Sequence, residues 1–324
     1  MRISVLIPSI GPSGKLVRCL DALTAQTLPN ERFEVLYTAA DDVDVPERFR
    51  RIAAPTTNTA ACRNALFAAA RHELVLFLSP DVLPLPDCLD RHIQAHETIT
   101  GKPALMMGGS PNVIRLPDRL LDRVARESSL IDSLDQMEKH GASVERDWTF
   151  RSTLFLNLSF RTQDAAGMIF DETPEHSEYS DLEWAWRVTS ARSLPLVFRP
   201  QIRVRHDHRI EPDAFLAREF VRGTHAYHVG LRYPRFAKAL FGREIGQADE
   251  LRYSRTFVEA EREFAESLRQ EFFALADVSA ESVSAAAVGS IFHQQLLLKR
   301  WTWRLGLVAA AAAAIEKLPA SLAA

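Results

Sequence analysis

The residues of this sequence best suited to chemistry are a few carboxylates, histidines and arginines placed where strands end or helices begin. In HELVLFLSPDVLPLPDCL, His72 to Leu89, a run of β-formers from Leu74 to Leu78 stops at Ser79-Pro80-Asp81 and gives way to proline-punctuated chain. A carboxylate at the end of a buried strand is where α/β proteins often place a ligand or metal. Chemistry on a diphosphate would more usually show two carboxylates there, and Ser79 stands in the first place. The His-x-His of His206 and His208 follows a strand-like run, and strand alternation puts both imidazoles on one face, as a metal site requires. In YSDLEWAWRVTSA, Ser180 reads as a helix N-cap, with Asp181 and Glu183 in a first turn that favours negative charge. Plainer readings stand beside these. Asp81 also suits a turn carboxylate after Pro80, Asp181 a first-turn charge, His208 a solvated side chain, and Arg63 a locally paired helix residue.

Positioning such groups needs a scaffold, and the first half of the chain supplies alternating strands and helices. Ile3–Ile7 is a continuous apolar run, suited to a strand covered on both faces. Leu16–Thr27 has helical apolar spacing, Phe33–Tyr37 reads as a second strand, Ala60–Ala70 as a helix and Leu74–Leu78 as a third strand. Strand and helix in alternation imply right-handed crossovers and a mostly parallel sheet. Its ligand edge would carry Pro8-Ser9, Ala39 to Asp42 and Ser79 to Asp81. From Asp87 to about Arg146 the pattern reads as helical and charged, with Gly141 a helix stop. Ser152–Phe160 reads as a strand, a helix starts at Ser180, and LPLVFRPQIRVRHDH is a strand bent at Pro200. Beyond His208 the chain reads as helical to its end, with a long charged helix around Thr256–Ala274.

The bulk numbers are those of a globular protein. At 324 residues there is room for one large domain, or one domain plus an extension. A net charge of −3 gives no sign of a nucleic-acid partner. Cys19, Cys62 and Cys88 have no metal-like spacing and are odd in number, which argues against a disulfide framework. MRISVLIPSI reads as a first strand rather than a leader, because its apolar run is short and closed by Pro8. No segment has the roughly 20 apolar residues that span a bilayer. A cytoplasmic protein is the expectation.

Four segments in order resemble family 2 glycosyltransferases of the GT-A fold. ISVLIPSIGPSGKLVRCLDALTAQTLPNERFEVLY is similar to their opening strand, helix and strand. AACRNALFAAARHELVLFLSPDVLP is similar to the stretch where an Ala-Arg-Asn helix leads to a strand ending in an Asp-x-Asp metal motif. LNLSFRTQDAAGMIFDETPEHSEYSDLEWAWRVTSARSLPLVFRPQIRVRHDHR is similar to their acceptor half, and FLAREFVRGTHAYHVG to a following helix with Arg-x-Gly. The resemblance covers roughly residues 2–230. It implies an α/β fold of GT-A type: a mostly parallel, Rossmann-like sheet flanked by helices, plus a helical C-terminal extension. The implied division is a domain at 1–230, with a nucleotide-binding half at 1–110 and an acceptor half at 111–230, and an extension at 231–324.

The implied activity is transfer of a sugar from a nucleotide-sugar donor to an acceptor hydroxyl, with inversion. The resemblance makes Asp181 the base and gives Asp81 and His206 a Mg2+ or Mn2+ ion. It sets Pro8, Ser9, Ala39, Asp41, Arg63, Ser79 and Asp81 around the donor, a UDP-sugar by the family's habit. Glu183, Arg187 and His208 would support the acceptor side. The acceptor, a carbohydrate, lipid-linked or other hydroxyl compound, would lie over Met107 to Arg151 and the start of the Asp181 helix. Three departures stand out: Ser79 for the first Asp of the metal motif, Ala39-Ala40-Asp41-Asp42 for the base-reading turn, and Ser180-Asp181 for Glu-Asp. They motivate an alternative, a degenerate GT-A-like binding or scaffold module. A sugar-phosphate nucleotidyltransferase is the other alternative; Gly11, Gly14 and Lys15 are a sparse version of its phosphate loop.

In the extension, Lys299, Arg300, Trp301, Trp303 and Arg304 precede an apolar run from Leu305 to Ile315 that includes the alanine tract Ala309–Ala314. Tryptophan and basic residues beside an apolar face suit an interfacial helix, giving peripheral contact with the inner face of a membrane. An alanine-rich helix packed on the domain, or on a second copy as a homodimer, is the favoured reading.

Overall fold

The computed structural model describes residues 1–99, 103–131, 134–140 and 147–316. Eight strands are seen among them: β1 (Ile3–Ile7), β2 (Phe33–Tyr37), β3 (Arg50–Arg51), β4 (Leu74–Leu78), β5 (Val82–Pro84), β6 (Leu105–Gly109), β7 (Asn157–Arg161) and β8 (Leu196–His206). The α-helices are α1 (Ser13–Thr24), α2 (Thr59–Ala69), α3 (Cys88–Thr98), α4 (Leu120–Glu127), α5 (Leu134–His140), α6 (Ser180–Arg192), α7 (Pro212–Arg232), α8 (Pro234–Phe241), α9 (Ala248–Ala260), α10 (Arg262–Ala274) and α11 (Ala285–Glu316). The chain forms two compact units. One comprises Met1–Val113, Asp132–Glu172 and Ser180–His208; the other comprises Ile114–Ile131, Thr173–Tyr179 and Arg209–Ala324.

The first unit contains the whole sheet, in the order β3-β2-β1-β4-β7-β6-β8-β5. The pairs β1–β2, β1–β4, β2–β3 and β6–β8 are parallel; β4–β7, β6–β7 and β5–β8 are antiparallel. Central strands are buried on both faces, and alternation assigns the residues to two cores. Ile3, Val5, Ile7, Leu74, Leu76 and Leu78 enter one, while Leu6, Val75 and Phe77 enter the other. The second core is aromatic. Trp184 of α6 stacks on Phe170 at 4.9 Å between ring centroids, and its indole N–H donates to the Met168 carbonyl at 2.9 Å. A fully buried Trp thus fixes α6, and with it the helix start that carries Asp181.

Strands β1, β2 and β4 form where the sequence predicts them. The stretch read as helical from Asp87 to Arg146 is different: it contains α3, then strand β6, then α4 and α5. Leu105, Met106 and Met107 are all buried between β7 and β8, so a fully buried strand displaces the helix that charged neighbours suggested. The predicted helix stop at Gly141 lies outside the described residues. The strand expected at Ser152–Phe160 starts only at Asn157, after a 3-10 turn at Phe150–Ser152. The long helix expected around Thr256–Ala274 is two helices, α9 and α10, separated at Glu261.

In the second unit α7 and α11 lie very close because glycines face the partner helix. A Cβ on Gly223 would fall on the Trp303 carbonyl, and one on Gly306 would fall on the Phe220 carbonyl. Leu121, Val124, Leu268, Phe272 and Leu298 form this unit's core. The two tryptophans of α11 point their indole N–H groups into the unit. Trp301 donates to the Val258 carbonyl at 3.0 Å and Trp303 to the Tyr179 hydroxyl at 2.9 Å. No helix of the described residues is long and apolar enough to cross a membrane.

Candidate active site

Adjacent parallel strands β2, β1 and β4 deliver their C-terminal ends to one edge of the sheet. At the end of β1, Pro8 and Ser9 are buried. The Ser9 amide donates to Thr38 Oγ1 at 2.9 Å, and the Thr38 hydroxyl donates back to the Ser9 carbonyl at 3.1 Å. After β2, the buried Ala39 accepts through its carbonyl from Arg51 at 2.8 Å, while Arg51 also pairs with Asp42. Asp41 is exposed and accepts from the Ser13 hydroxyl at 3.4 Å.

At the end of β4, Asp81 gathers four polar side chains. Ser79 donates to its Oδ1 at 2.5 Å. His206 Nε2 stands 3.6 Å and His208 Nδ1 3.3 Å from Oδ2. Lys15 Nζ, on the first turn of α1, is 3.5 Å from Oδ2 and 3.4 Å from His208 Nδ1. The imidazoles arrive there because β8 is pinned to β5 in antiparallel register, with His206 opposite Val82, and the Asp207 amide donates to the Asp81 carbonyl at 2.7 Å. The two rings stack at 5.4 Å between centroids. One ligand atom from each of Asp81, His206 and His208 lies within 4.8 Å of the others, a spacing that a single cation can bridge. Burial alone would raise the Asp81 carboxyl, but the His206 and His208 imidazoles beside it and the Ser79 hydroxyl outweigh it. Together they hold the group well below the usual carboxylate range.

Asp181 has a different partner. Both its oxygens are gripped by Arg63 of α2, Oδ1 by Nη1 and Oδ2 by Nη2 at 3.0 Å. The guanidinium is buried and lies 4.7 Å from the Phe155 ring centroid and 5.4 Å from that of Phe170. Asp181 itself keeps about a third of its side-chain surface open. Two residues on, Glu183 is buried and held bidentately by Arg187 at 2.6 and 2.9 Å. Arg187 also donates to the Ile169 carbonyl at 2.6 Å, so this pair fastens α6 to the preceding turn. Of the segment expected to meet an acceptor, residues 132–133 and 141–146 lie outside the described residues.

The structure therefore brings Ser79, Asp81, His206 and His208 into one cluster, and Arg63 and Asp181 into a pair. The place of Lys15 beside Asp81 is not signalled in the sequence. The only trace in the sequence was a lysine one helical turn into the element after the first strand. Thr38, which locks the ends of β1 and β2 together, was missed as well; a threonine ending a strand carries no distinguishing spacing.

No protein-family model matches the chain, and no curated protein does. Solved structures with a similar fold include the mannosyltransferase PcManGT from Pyrobaculum calidifontis in complex with GDP-Man and Mn2+. Identity is 14%, the match covers 96% of this chain and 86% of that chain, and the TM-score is 0.50. S. aureus TarS matches at 13% identity over 95% of this chain and 55% of that chain, with a TM-score of 0.48. The chain thus spans about half the length of TarS. M. tuberculosis glucosyl-3-phosphoglycerate synthase matches at 12% identity over 65% of this chain and 73% of that chain, with a TM-score of 0.41. At such identities the likeness to the mannosyltransferase is one of fold, and the fold of this chain is the α/β GT-A type.

Proposed function

We propose that this chain is a glycosyltransferase that moves a sugar from a nucleotide-sugar donor to an acceptor hydroxyl with inversion at the anomeric carbon. The observation that carries the reading is the Asp81–His206–His208 cluster on the strand-end edge shared with Pro8-Ser9 and Ala39. The mannosyltransferase of similar fold is in complex with a nucleotide sugar and Mn2+. One carboxylate with two imidazoles suits Mn2+ better than Mg2+, which prefers oxygen ligands. Asp81 and His206 would hold such an ion, with His208 as a third ligand. When bound, the ion offsets charge developing on the leaving diphosphate. Ser79 donates to Asp81 and keeps lone pairs with which to accept from a donor ribose hydroxyl.

The chemistry needs one proton acceptor. Asp181 takes the proton of the acceptor hydroxyl as that oxygen bonds to the anomeric carbon, and the bond from that carbon to the diphosphate oxygen breaks on the opposite face. Arg63 occupies one lone pair on each carboxylate oxygen and leaves another for the acceptor, so its role in this reading is to orient Asp181. The UDP-sugar expected from the family resemblance and the GDP-sugar of the mannosyltransferase are both candidate donors.

A thermal-shift panel of nucleoside diphosphates, with and without Mn2+, tests the reading on wild type and Asp81→Ala. A shift that needs one nucleotide together with Mn2+, and disappears in the variant, supports it and identifies the nucleotide. A well-folded protein indifferent to every combination contradicts it and favours a non-catalytic binding module. Lys15 beside Asp81 favours a second reading, a nucleotidyltransferase, because such enzymes use a cationic side chain after the first strand. Pyrophosphate release from a nucleoside triphosphate and a sugar phosphate would select that reading.

A further inference from the structure

The second unit contains a cavity of about 480 Å3 between α7, α8, α9 and α11, a volume typical of small-molecule sites. Arg222, Arg243, Lys299, Arg300 and Arg304 line it against a single carboxylate, Glu219. Some of this positive charge is already engaged. Arg304 is buried and donates to Glu250 at 2.7 Å and to the Ser254 hydroxyl at 2.5 Å, and Arg222 pairs with Glu219 at 3.1 Å. Lys299 donates to the Leu130 carbonyl, and the charge that faces a ligand is that of Arg243 and Arg300. Arg243, half exposed, reaches the already occupied Glu250 only at 3.5 Å. Arg300 is exposed and has no ion pair among the described residues. Arg222 Nε has no hydrogen-bond partner. The other wall is aromatic, formed by Phe241, Tyr253, Phe257 and Trp303, and Arg304 braces Tyr253 at 4.6 Å from its ring centroid.

We propose that this cavity is a second ligand site, for a phosphorylated carbohydrate. A neutral sugar would leave the excess guanidinium charge unanswered, and a carboxylate would be satisfied by one arginine. A phosphate offers three oxygens to the forks of Arg243 and Arg300. The aromatic wall accepts the apolar face of a sugar ring. The proposal stands independently of the reaction assigned to the Asp81 cluster.

Titration calorimetry in EDTA with glucose 6-phosphate, ribose 5-phosphate and glycerol 3-phosphate tests it, with glucose and inorganic phosphate as controls. At least one phosphorylated compound is expected to bind at least tenfold more tightly than either control. The double variant Arg243→Gln/Arg300→Gln is expected to lose roughly tenfold or more of that affinity, as charge-assisted contacts imply. Asp81→Ala should leave it unchanged. Both arginines are exposed, so the double variant is expected to fold, and circular dichroism verifies this. The proposal is overturned if no phosphorylated compound binds, if inorganic phosphate binds equally well, or if affinity depends on Asp81 rather than on the arginines.

Discussion

Two pairs of histidines in the first unit meet opposite environments. His206 and His208, two residues apart at the end of β8, surround the Asp81 carboxylate at the sheet edge, and His208 is exposed. His92 and His96, one turn apart on α3, are buried against β7. There His92 reaches Asn157 Oδ1 at 2.7 Å and Ser159 at 2.8 Å, and His96 reaches Ser159 at 2.9 Å. Burial pushes His92 down to about 4, with the Asn157 hydrogen bond working against the shift. Burial, His92 and Arg161 push His96 down to about 3. The same side chain is a candidate ligand where it faces a carboxylate near solvent, and a neutral packing element where neutral hydrogen-bond partners enclose it.

Changes at the two pairs should consequently have different readouts. The largest expected effect is at the edge: Asp81→Ala should reduce transferase activity by more than about 100-fold, since even indirect support of a metal site is worth 10–100-fold. Removing the carboxylate also removes its stabilising contacts with Ser79, His206 and His208, so the urea midpoint should fall, and circular dichroism under assay conditions verifies that the variant is folded. The core pair should govern acid stability instead. Both imidazoles have folded values below their unfolded 6.5, so the unfolded chain binds more protons as pH falls through 6.5. Stability is therefore full above 6.5 and lost progressively toward about pH 4. Between pH 7 and pH 5 the loss is on the order of 2 kcal/mol per imidazole, measurable by urea unfolding at the two pH values. Asp81 has the opposite schedule. Its depressed carboxyl contributes fully above about 3.9 and loses that contribution only below it, so it adds nothing to this window.

Smaller effects resolve the edge cluster itself. His206→Ala should weaken Mn2+ binding by roughly 10–100-fold, and His208→Ala by less, because His208 is the more exposed of the two candidate ligands. Titration of Mn2+ followed by electron paramagnetic resonance separates the two. The smallest change expected is a gain. Lys15 places an ammonium 3.5 Å from the proposed metal carboxylate, so Lys15→Met should tighten Mn2+ binding by a few-fold. An unchanged or weaker affinity would show that Lys15 does not compete with the ion.

Much of this edge was legible in the sequence because its determinants are local. Apolar runs define β1, β2 and β4, parallel pairing aligns their ends, and the resemblance placed Asp81, His206 and His208 at strand ends. What escaped depends on distant packing. Lys15 meets Asp81 across 66 residues of chain. Leu105–Gly109 is a strand only because β7 and β8 enclose it. His92 and His96 sit in a helix that reads as charged, and nothing in their spacing signals Asn157 and Ser159. The resemblance implies Arg63 as a donor contact, but its pairing with Asp181 and its burial against Phe155 and Phe170 depend on the aromatic core, which no local spacing signals.

Transfer from a nucleotide sugar is tested by measuring release of nucleoside diphosphate from a panel of UDP- and GDP-sugars with Mn2+. Even without an acceptor, water should serve slowly as the nucleophile. Release is expected from one donor class, abolished by Asp81→Ala and reduced roughly 10²–10⁴-fold by Asp181→Asn in a folded protein. Release from no donor, or release indifferent to both substitutions, would contradict that transfer.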